Sequence, residues 1–299
     1  MGRRRSTIDD YESYTRVHLV PFFGNQPMSR ITPLSVERYV SHEIEAGSAV
    51  KSVYNYLVLL NTLFRYAMRH GAVTVNPVAL IDRPKRRPTT DIRYLTTGEL
   101  QTLLEQVPSD ILGPTERVVY LTAALTGLRR GELVALEWKD IDFGARLIRV
   151  RRTFSHGRVG PLKTHRSSRS VPLAARVAEA LSAHRERSLF CGRHDLVFAH
   201  PGTGKLYDPS KLRKRFVRAA ERAGLKGTRF HDLRHTFGTE LAAAGAPMRS
   251  IQAWMGHVDF PTTSIYVDYA PEPSRATAYV DRAFERIEEP RAAGSRRGR

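Results

Sequence analysis

The chain has 299 residues, 41% of them hydrophobic, which is enough for a sizeable core and about two domains. Lys and Arg number 48 against 30 Asp and Glu, a formal net charge of +18. That excess favours a nucleic acid as partner, with a merely well-solvated basic surface as the alternative. The single cysteine, Cys191, excludes a disulfide framework and a Cys-rich zinc module, and it is predicted to be a small buried residue. Because there is neither a signal peptide nor an apolar run of about 18 residues, we expect a soluble, cytoplasmic protein without a membrane partner.

Residues 1–83 are predicted to form a helical domain. Thr32 is suited to the N-cap of one amphipathic helix and Pro33 to its first turn. A second helix ends near Gly71, and its apolar positions recur with the helical period of about 3.6 residues. These positions are Val50, Val53, Tyr54, Leu57, Leu60, Phe64 and Ala67. Residues 84–92, rich in proline and positive charge, are predicted to be a linker.

Residues 93–289 are predicted to form a second, larger domain. Helical patterns begin at Thr97 and recur between residues 117 and 138, whereas β-branched residues interrupted by Gly and Ser between 146 and 173 predict a short antiparallel sheet. The predicted fold class is therefore mostly α with a small antiparallel β-sheet, an α+β arrangement. A last helix is predicted before a basic, disordered tail at residues 290–299. The apolar stripe of that helix consists of Val280, Phe284 and Ile287.

A helix predicted near residues 210–225 has a strongly basic surface. Leu212, Phe216 and Ala220 are spaced to face inward, and positive residues crowd the remaining positions. That side would suit a DNA backbone, and a solvated helix face explains it equally well. The candidate DNA-contacting residues are Lys211, Lys214, Arg215 and Arg218.

The stretch FHDLRHTFGTE contains a candidate metal site. His231 and His235 are four residues apart on one helix face, the spacing that zinc hydrolases use. Asp232 takes the position of a zincin glutamate, and His257 would have to complete the ligand set. Arg234 lies on the same face, however, and a permanently charged guanidinium beside a divalent cation is unfavourable. A zinc-dependent hydrolase using His231 and His235 is therefore a distant alternative.

The same stretch also suits an anion. His231 and Arg234 lie one helical turn apart. A guanidinium fork matches two phosphate oxygens, and the imidazole adds a further donor. Histidine and arginine on a helix also cap loops or pair with carboxylates, so this stretch alone leaves the two interpretations open.

Two further stretches supply residues that could act with this pair. In TGLRRGEL, Arg129 follows Gly127, where a small residue allows a close approach to a ligand. Glu132, three residues beyond the arginine, is placed to orient it. In LKTHRSSRSVPL, Lys163 is predicted to lie in a turn between two strand-like runs, from which a flexible ammonium can reach outward.

The stretch MGHVDFPTTSIYVDY supplies His257 and, nine residues later, Tyr266. Together, these residues resemble the tyrosine recombinases of the phage integrase type. The family pattern is Arg, Lys, His-x-x-Arg, His or Trp, then Tyr, and every element is present here in that order with similar spacing. The resemblance covers residues 92–287, and the helical unit before them is similar to the family's SAM-like core-binding domain.

The resemblance implies a site-specific DNA recombinase, an integrase that integrates or excises a phage or mobile element. Tyr266 would attack a DNA phosphodiester to give a 3′-phosphotyrosyl link and a free 5′-hydroxyl, with no metal, ATP or other cofactor. A phenol is a better leaving group than an alkoxide, so another strand's 5′-hydroxyl can reverse the link. A chromosome-dimer-resolving, Xer-like recombinase and a transposase of the same chemistry are the alternatives.

The resemblance also implies catalytic roles. Arg129 and Arg234 would neutralise the charge on the phosphoryl oxygens, with hydrogen bonds from His231 and His257. Lys163 would protonate the departing 5′-oxygen, and His231 would accept the tyrosine proton. In supporting roles, Glu132 would orient the site and His235 would be structural.

Two of these roles have competitors nearby. Arg166 and Arg169 are close to Lys163, and Tyr269 lies three residues past Tyr266. Motif register favours Lys163 as the acid and Tyr266 as the nucleophile.

The expected partners are double-stranded DNA attachment sites. Strand exchange between two duplexes requires four half-sites, hence a homotetramer on DNA, and a directionality factor is a further candidate partner. The C-terminal stripe would dock onto the next subunit of the ring or onto its own domain. Only GRRRSTIDD precedes the core-binding unit, so either the enzyme uses simple core sites or an arm-binding domain is missing from this sequence.

Overall fold

The computed structural model describes residues 5–84, 92–162 and 168–269. The chain divides into two compact units, Met1–Thr89 and Thr90–Arg299. Several predictions concern segments outside the described residues and are not tested by the structure. They concern most of the linker, Lys163, Arg166, the C-terminal stripe and the basic tail.

The first unit is helical, as predicted. Thr32 is the N-cap of a helix that starts at Pro33, and its hydroxyl accepts a hydrogen bond from the backbone N–H of Ser35 at 3.2 Å. The longest helix is followed by Gly71 in the left-handed region, with φ 71°. Its buried stripe packs into the core, while two of the predicted apolar positions, Val50 and Tyr54, are exposed. The helices are α1 (Arg5–Tyr14), α2 (Val20–Phe23), α3 (Pro33–Glu45) and α4 (Val50–Arg69), with a π-helical turn at Thr15–Leu19 and 3₁₀ turns at Met28–Arg30 and Pro77–Ala79.

The second unit is mostly helical with short antiparallel strands, which confirms the predicted fold class. Its helices are α5 (Thr97–Glu105), α6 (Gly113–Thr126), α7 (Arg130–Val134), α8 (Ala175–Arg187), α9 (Pro209–Arg222), α10 (Asp232–Ala243), α11 (Met248–Met255) and α12 (Pro261–Ser264), with 3₁₀ turns at Trp138–Asp140 and Val267–Tyr269. Its strands are β1 (Ile141–Asp142), β2 (Leu147–Val150), β3 (Arg152–Ser155), β4 (Arg158–Pro161) and β5 (Arg169–Pro172).

Strands β2 to β5 lie within residues 146–173, where the β-branched residues predicted them, and β1 precedes that stretch. One sheet has the antiparallel order β1-β2-β5, and β3 pairs with β4 as a separate hairpin. Ile148 at the centre of β2 lies opposite both Ile141 and Val171, and all three side chains are buried. Arg169, the first residue of β5, is paired with the buried Val150 of β2.

Helix α6 is central to this unit and packs against α8 and α10. Most of its residues are buried, polar Glu116 and Thr122 as well as Val119 and Tyr120, so burial surrounds this helix instead of following one stripe. It ends at Gly127, which has φ 62°, and the chain then turns directly into Arg129. The buried helix α6 thus fixes the position of Arg129, the first arginine of the motif pattern.

The burial of Cys191 and of the apolar positions of α9 was predicted from the sequence. Cys191 is exposed, so the prediction of a buried cysteine was wrong: it lies in an irregular segment after α8, where no core packs around it. On α9, in contrast, Leu212, Phe216 and Ala220 are all buried, as their spacing predicted. Among the described residues, no helix combines the length and apolar character that crossing a membrane requires.

Candidate active site

The site is built on one face of α10 and the turn before it. His231 precedes the helix, and Arg234, His235 and Gly238 follow at the spacing that keeps them on one side. Asp232 is fully buried and accepts hydrogen bonds from the backbone N–H of Arg229 at 2.7 Å and from its guanidinium. The aspartate therefore fixes the start of the helix, where a zincin glutamate would face a metal.

Arg234 lies deep in this site, with only 3% of its surface exposed. Its Nη1 donates to the carbonyl of Gly127, and its Nη2 donates to the carbonyl of Met255 at 2.6 Å. Gly127 is constrained by its left-handed backbone and by Phe237, because an added Cβ would lie 2.4 Å from that ring. The glycine that sequence reasoning assigned to close approach thus also positions an acceptor for Arg234.

Arg129 is held by Glu132, as the sequence predicted. The buried carboxylate accepts from the backbone N–H of Arg129 at 2.8 Å and from its Nη1 at 3.0 Å. The Nη2 of Arg129 donates to the carbonyl of Gly256 at 3.0 Å. Two-fifths of the Arg129 side chain (41%) remains exposed, so it can reach a ligand from this fixed position.

Arg169 is a third arginine of the site, which the sequence had offered only as a competitor of Lys163 for the role of acid. It is almost fully buried, and its two terminal nitrogens donate to the two carboxylate oxygens of Glu132 at 3.0 and 2.8 Å. Its Nε donates to the carbonyl of Trp254 at 2.6 Å. Instead of competing with Lys163 for the role of acid, Arg169 braces the carboxylate that holds Arg129. The only sequence signal was its place in the same Ser- and Arg-rich stretch as Lys163.

These contacts bring three arginines to the end of a single helix. The carbonyls of Trp254, Met255 and Gly256, at the C-terminus of α11, each accept from a different arginine. A helix C-terminus leaves unpaired carbonyls and carries partial negative charge, so it binds cations. We call Arg129, Arg169, Arg234 and Glu132 the arginine cluster.

The arginine cluster contains more positive than negative charge, because three guanidiniums lie near one carboxylate and only those of Arg129 and Arg169 pair with it. Burial alone would raise the pKa of Glu132, but the hydrogen bonds and charge of Arg169, followed by Arg129, hold it below its usual value. Burial, together with the charge of Arg129, lowers the pKa of Arg234 to about 9. Arg234 remains protonated at neutral pH, and an arriving anion would relieve this crowding of cations.

A cavity of about 240 Å³ lies beside Arg234 and has room for an anion. Its walls are Leu128, Arg130, Phe230, His231 and Arg234. Although part of the His231 ring is exposed, desolvation by its surroundings, followed by His235 and Arg234, lowers its pKa to about 4. The ring is therefore neutral at pH 7 and can donate one hydrogen bond into the cavity.

His257 follows the arginine-binding end of α11. Its Nδ1 lies 2.8 Å from the Thr263 hydroxyl, which fixes the ring plane. Burial, and then the charges of Arg234 and Arg129, lower the pKa of His257 to about 3. Arg129, Arg234 and His257 thus meet at the C-terminal end of α11, and His231 lies with Arg234 at the cavity, whose walls do not include Arg129 or His257.

Tyr266 is buried against α10, with 1% of its surface exposed. Its ring lies over Gly238, where an added Cβ would be 2.5 Å from the nearest ring atom. Its hydroxyl oxygen lies 3.0 Å from Nδ1 of His235. Burial raises the pKa of Tyr266 to about 12, and the charge of Arg234 opposes the shift. Its predicted competitor, Tyr269, packs edge-on against Tyr94 instead.

His235 was predicted to be structural, yet it contacts the hydroxyl of the candidate nucleophile. The residue type could not distinguish His235 from His231, because both fall on the same helix face. The zinc alternative gains no support: among the described residues, no group of three or more His, Cys, Asp or Glu is placed to hold a metal. The charged side chains near His231 include the guanidiniums of Arg130 and Arg234, which would repel a metal cation.

The basic helix α9 divides into two sets of residues. Arg215 donates to both oxygens of Asp110 at 2.8 Å and to Glu116, so its guanidinium is already paired within the protein, which disfavours a DNA contact that the structure does not test. Lys211, Lys214 and Arg218 are exposed, and their contact with DNA stays a prediction.

The surplus of positive charge and the cavity beside Arg234 suit the binding of an anion such as a phosphate. The chain belongs to the phage integrase family, whose catalytic-domain model matches residues 93–272, and the family's N-terminal SAM-like domain matches residues 2–44. It is a tyrosine recombinase, an enzyme that cleaves and rejoins DNA.

Individual relatives agree with this assignment. A XerC-like tyrosine recombinase of Caldanaerobacter subterraneus subsp. tengcongensis is 27% identical over 91% of this chain and 76% of its own length. The phiRv2 prophage integrase of Mycobacterium tuberculosis is 27% identical over 86% of this chain and 68% of its own. The fold is similar to that of the Tn1549 transposon integrase bound to circular intermediate DNA, with a TM-score of 0.76, 21% identity and coverage of 94% and 95% of the two chains.

Proposed function

We propose that Tyr266 is the nucleophile and that the cavity beside Arg234 receives the scissile phosphate. The phenolic oxygen attacks phosphorus, the bond to the 5′-oxygen breaks, and a 3′-phosphotyrosyl link remains. The 5′-hydroxyl of another strand then attacks the same phosphorus and releases the phenol. One phosphodiester replaces another, so the exchange needs no energy source.

The observation that carries this proposal is the arginine cluster with its surplus of positive charge. Phosphoryl transfer builds charge on non-bridging oxygens, and fixed cations that need no rearrangement stabilise that charge. Arg129 and Arg234 neutralise it, and His231 and His257 add hydrogen bonds. Glu132 holds Arg129 without touching the phosphate.

Lys163 is proposed as the acid that protonates the departing 5′-oxygen. It lies outside the described residues, so its assignment depends on motif register. Support comes from the engagement of Arg169 with Glu132, which removes one competitor for the role. A lysine near other cations also loses its proton more readily than a free lysine.

The substrate proposed for this chemistry is a pair of double-stranded attachment sites, bound by a homotetramer that integrates or excises a phage or mobile element. Exposed residues Lys211, Lys214 and Arg218 on α9 would contact the DNA backbone. Recombination would take place in the cytoplasm, at the nucleoid. An accessory directionality factor would bias the reaction. Residues 1–83 would serve as the core-binding domain, 84–92 as linker and 93–289 as catalytic domain.

A second candidate is a Xer-like recombinase that resolves chromosome dimers. The similarity to a XerC-like protein over 91% of this chain favours it. The two candidates share their chemistry and differ in the DNA site, so identifying that site separates them.

The test is to incubate the protein with a library of candidate attachment sites and to recover DNA that becomes covalently attached. Wild-type protein is expected to carry DNA into the phenol phase, with EDTA having no effect, whereas Tyr266→Phe carries none. Tyr269→Phe is the matched control and should behave as wild type. Loss of activity in EDTA, or attachment by Tyr266→Phe, would overturn the proposal.

A further inference from the structure

The phenol of Tyr266 cannot easily lose its proton to water in this structure. The side chain is almost fully buried, and burial raises the pKa of the hydroxyl to about 12. A phenol is a poor nucleophile until it loses its proton. A base within hydrogen-bonding distance is therefore needed at the moment of attack.

His235 is the group that meets this need. Its Nδ1 lies 3.0 Å from the phenolic oxygen, a normal hydrogen-bond length. Gly238, one turn further along α10, allows the tyrosine ring to lie flat on the helix at this height. The hydrogen bond is thus set by packing of the ring against the backbone and not by a flexible side chain.

The surroundings keep the imidazole of His235 neutral and ready to accept. Burial lowers its pKa, and Arg229 and Arg234 oppose the influence of Asp232. The titratable or charged groups that face it are His231, Asp232 and Arg234 on its own helix, Arg229 in the preceding turn, and Tyr266 opposite.

His231 has a different environment, although its ring is only 5.0 Å from that of His235 in an edge-to-face arrangement. It lines the cavity beside Arg234, where the phosphate would bind. The two histidines at this spacing therefore divide the work, one facing the phosphate and the other the nucleophile. The resemblance had assigned both tasks to His231.

We infer that His235 is the general base that takes the proton from Tyr266 during strand cleavage. The proton moves from the phenolic oxygen to Nδ1 as that oxygen bonds to phosphorus and the 5′-oxygen leaves. In the reverse step, the imidazolium returns the proton to the phenol as it is displaced. This inference rests on the proposed function, because it requires Tyr266 to be the nucleophile.

The experiment measures single-turnover formation of the covalent complex on the recovered site, for wild type, His235→Asn and His231→Asn. Asparagine preserves a hydrogen-bonding atom near the Nδ1 position without its basicity. General-base catalysis contributes on the order of 10²–10⁴-fold, so His235→Asn should be slower by at least about 10²-fold. Unlike wild type, its rate should rise about tenfold per pH unit, because the phenol must then ionise into solvent.

A substrate with sulfur at the bridging 5′ position distinguishes the base from the acid, because a thiolate leaves without a proton. That substrate should restore cleavage in Lys163→Ala but not in His235→Asn. The inference would be overturned if His235→Asn cleaved within about threefold of the wild-type rate, or if the sulfur substrate restored cleavage in His235→Asn. Failure of wild type to form any covalent complex would instead overturn the proposed function.

A measurement on wild type keeps the test independent of whether His235→Asn folds. With His235 as base, the wild-type rate on the sulfur substrate should be flat between pH 7 and about 9, because the imidazole is already neutral there. A tenfold rise per pH unit across that range would show that Tyr266 ionises without it.

Discussion

Two buried glutamates of the larger domain, Glu132 and Glu116, pair with arginines, with opposite outcomes. In the arginine cluster, Glu132 pairs with Arg129 and Arg169 while Arg234 donates to backbone carbonyls, so positive charge is left over. In the second group, which we call the Glu116 cluster, Arg215 meets two carboxylates, Asp110 and Glu116, and Glu116 also accepts from the hydroxyl of Tyr207. The Glu116 cluster consists of Asp110, Glu116, Tyr207 and Arg215.

Arginine–glutamate pairs occur in both clusters, but they leave charge for a ligand in the arginine cluster and stabilise the fold in the Glu116 cluster. Glu116 is completely buried, and its Oε2 has no hydrogen-bond partner among the described residues. Its hydrogen bond to Arg215 is the largest cause that raises the pKa of that arginine above its usual value. No cation in the Glu116 cluster is left for a ligand, whereas the arginine cluster requires an anion to balance its charge.

The largest expected effect separates catalysis from stability. Arg234→Met should reduce cleavage of the recovered site by on the order of 10²–10³-fold, because a fixed donor to the phosphoryl oxygens is lost. Its free energy of unfolding should fall less than that of Arg215→Met, since removing one of three crowded cations offsets the lost hydrogen bonds. Single-turnover cleavage and urea unfolding measure the two quantities. Equal loss of stability in both variants would erase the contrast between the clusters.

Arg215→Met should lower the free energy of unfolding by about 3–5 kcal/mol, because it leaves the buried Glu116 without its cation. The partly exposed Asp110 adds little to this loss. Cleavage per folded molecule should be unchanged at a temperature at which the variant is folded. Arg218→Met, from the exposed side of the same helix, is the matched control and should unfold like wild type.

Arg169→Lys tests the bracing of Glu132. A lysine keeps the charge but cannot donate two parallel hydrogen bonds, so Arg129 should be held less firmly. We expect cleavage to fall about tenfold, with little change in DNA affinity, because a small displacement of a catalytic group affects the transition state most. Filter binding and single-turnover cleavage separate these effects. A loss confined to affinity would mean that Arg169 acts on DNA directly.

The smallest expected effect is on stability at mildly acidic pH. His231 and His257 have folded-state pKa values of about 4 and about 3, below the value of 6.5 for a free histidine. The unfolded chain then binds more protons, so stability should be present above pH 6.5 and fall as the pH drops toward about 4. Each histidine contributes at most about 1.4 kcal/mol per pH unit, and less for the partly exposed His231.

Urea unfolding between pH 7 and 5 would measure this slope before most carboxylates titrate. His257→Asn should flatten the curve relative to wild type. An identical slope in His257→Asn and wild type would show that the buried ring does not resist protonation.

The sequence by itself determined the local features of this protein. Helical spacing specified α4 and the buried stripe of α9, and β-branched runs specified the small sheet, because periodicity reflects which face of an element is buried. The order of motifs specified the family, and Glu132 was correctly assigned to Arg129 because the two are only three residues apart.

Only the tertiary structure decided which partner each charged side chain meets. Arg129 contacts Gly256 across 127 positions, Arg215 contacts Glu116 across 99, and His235 contacts Tyr266 across 31. A helical pattern places His231 and His235 on one face but does not say what packs against either. Such pairings depend on how α10, α11 and the nucleophile segment fold around one core, and burial then decides which of the charges is neutralised and which is left for DNA.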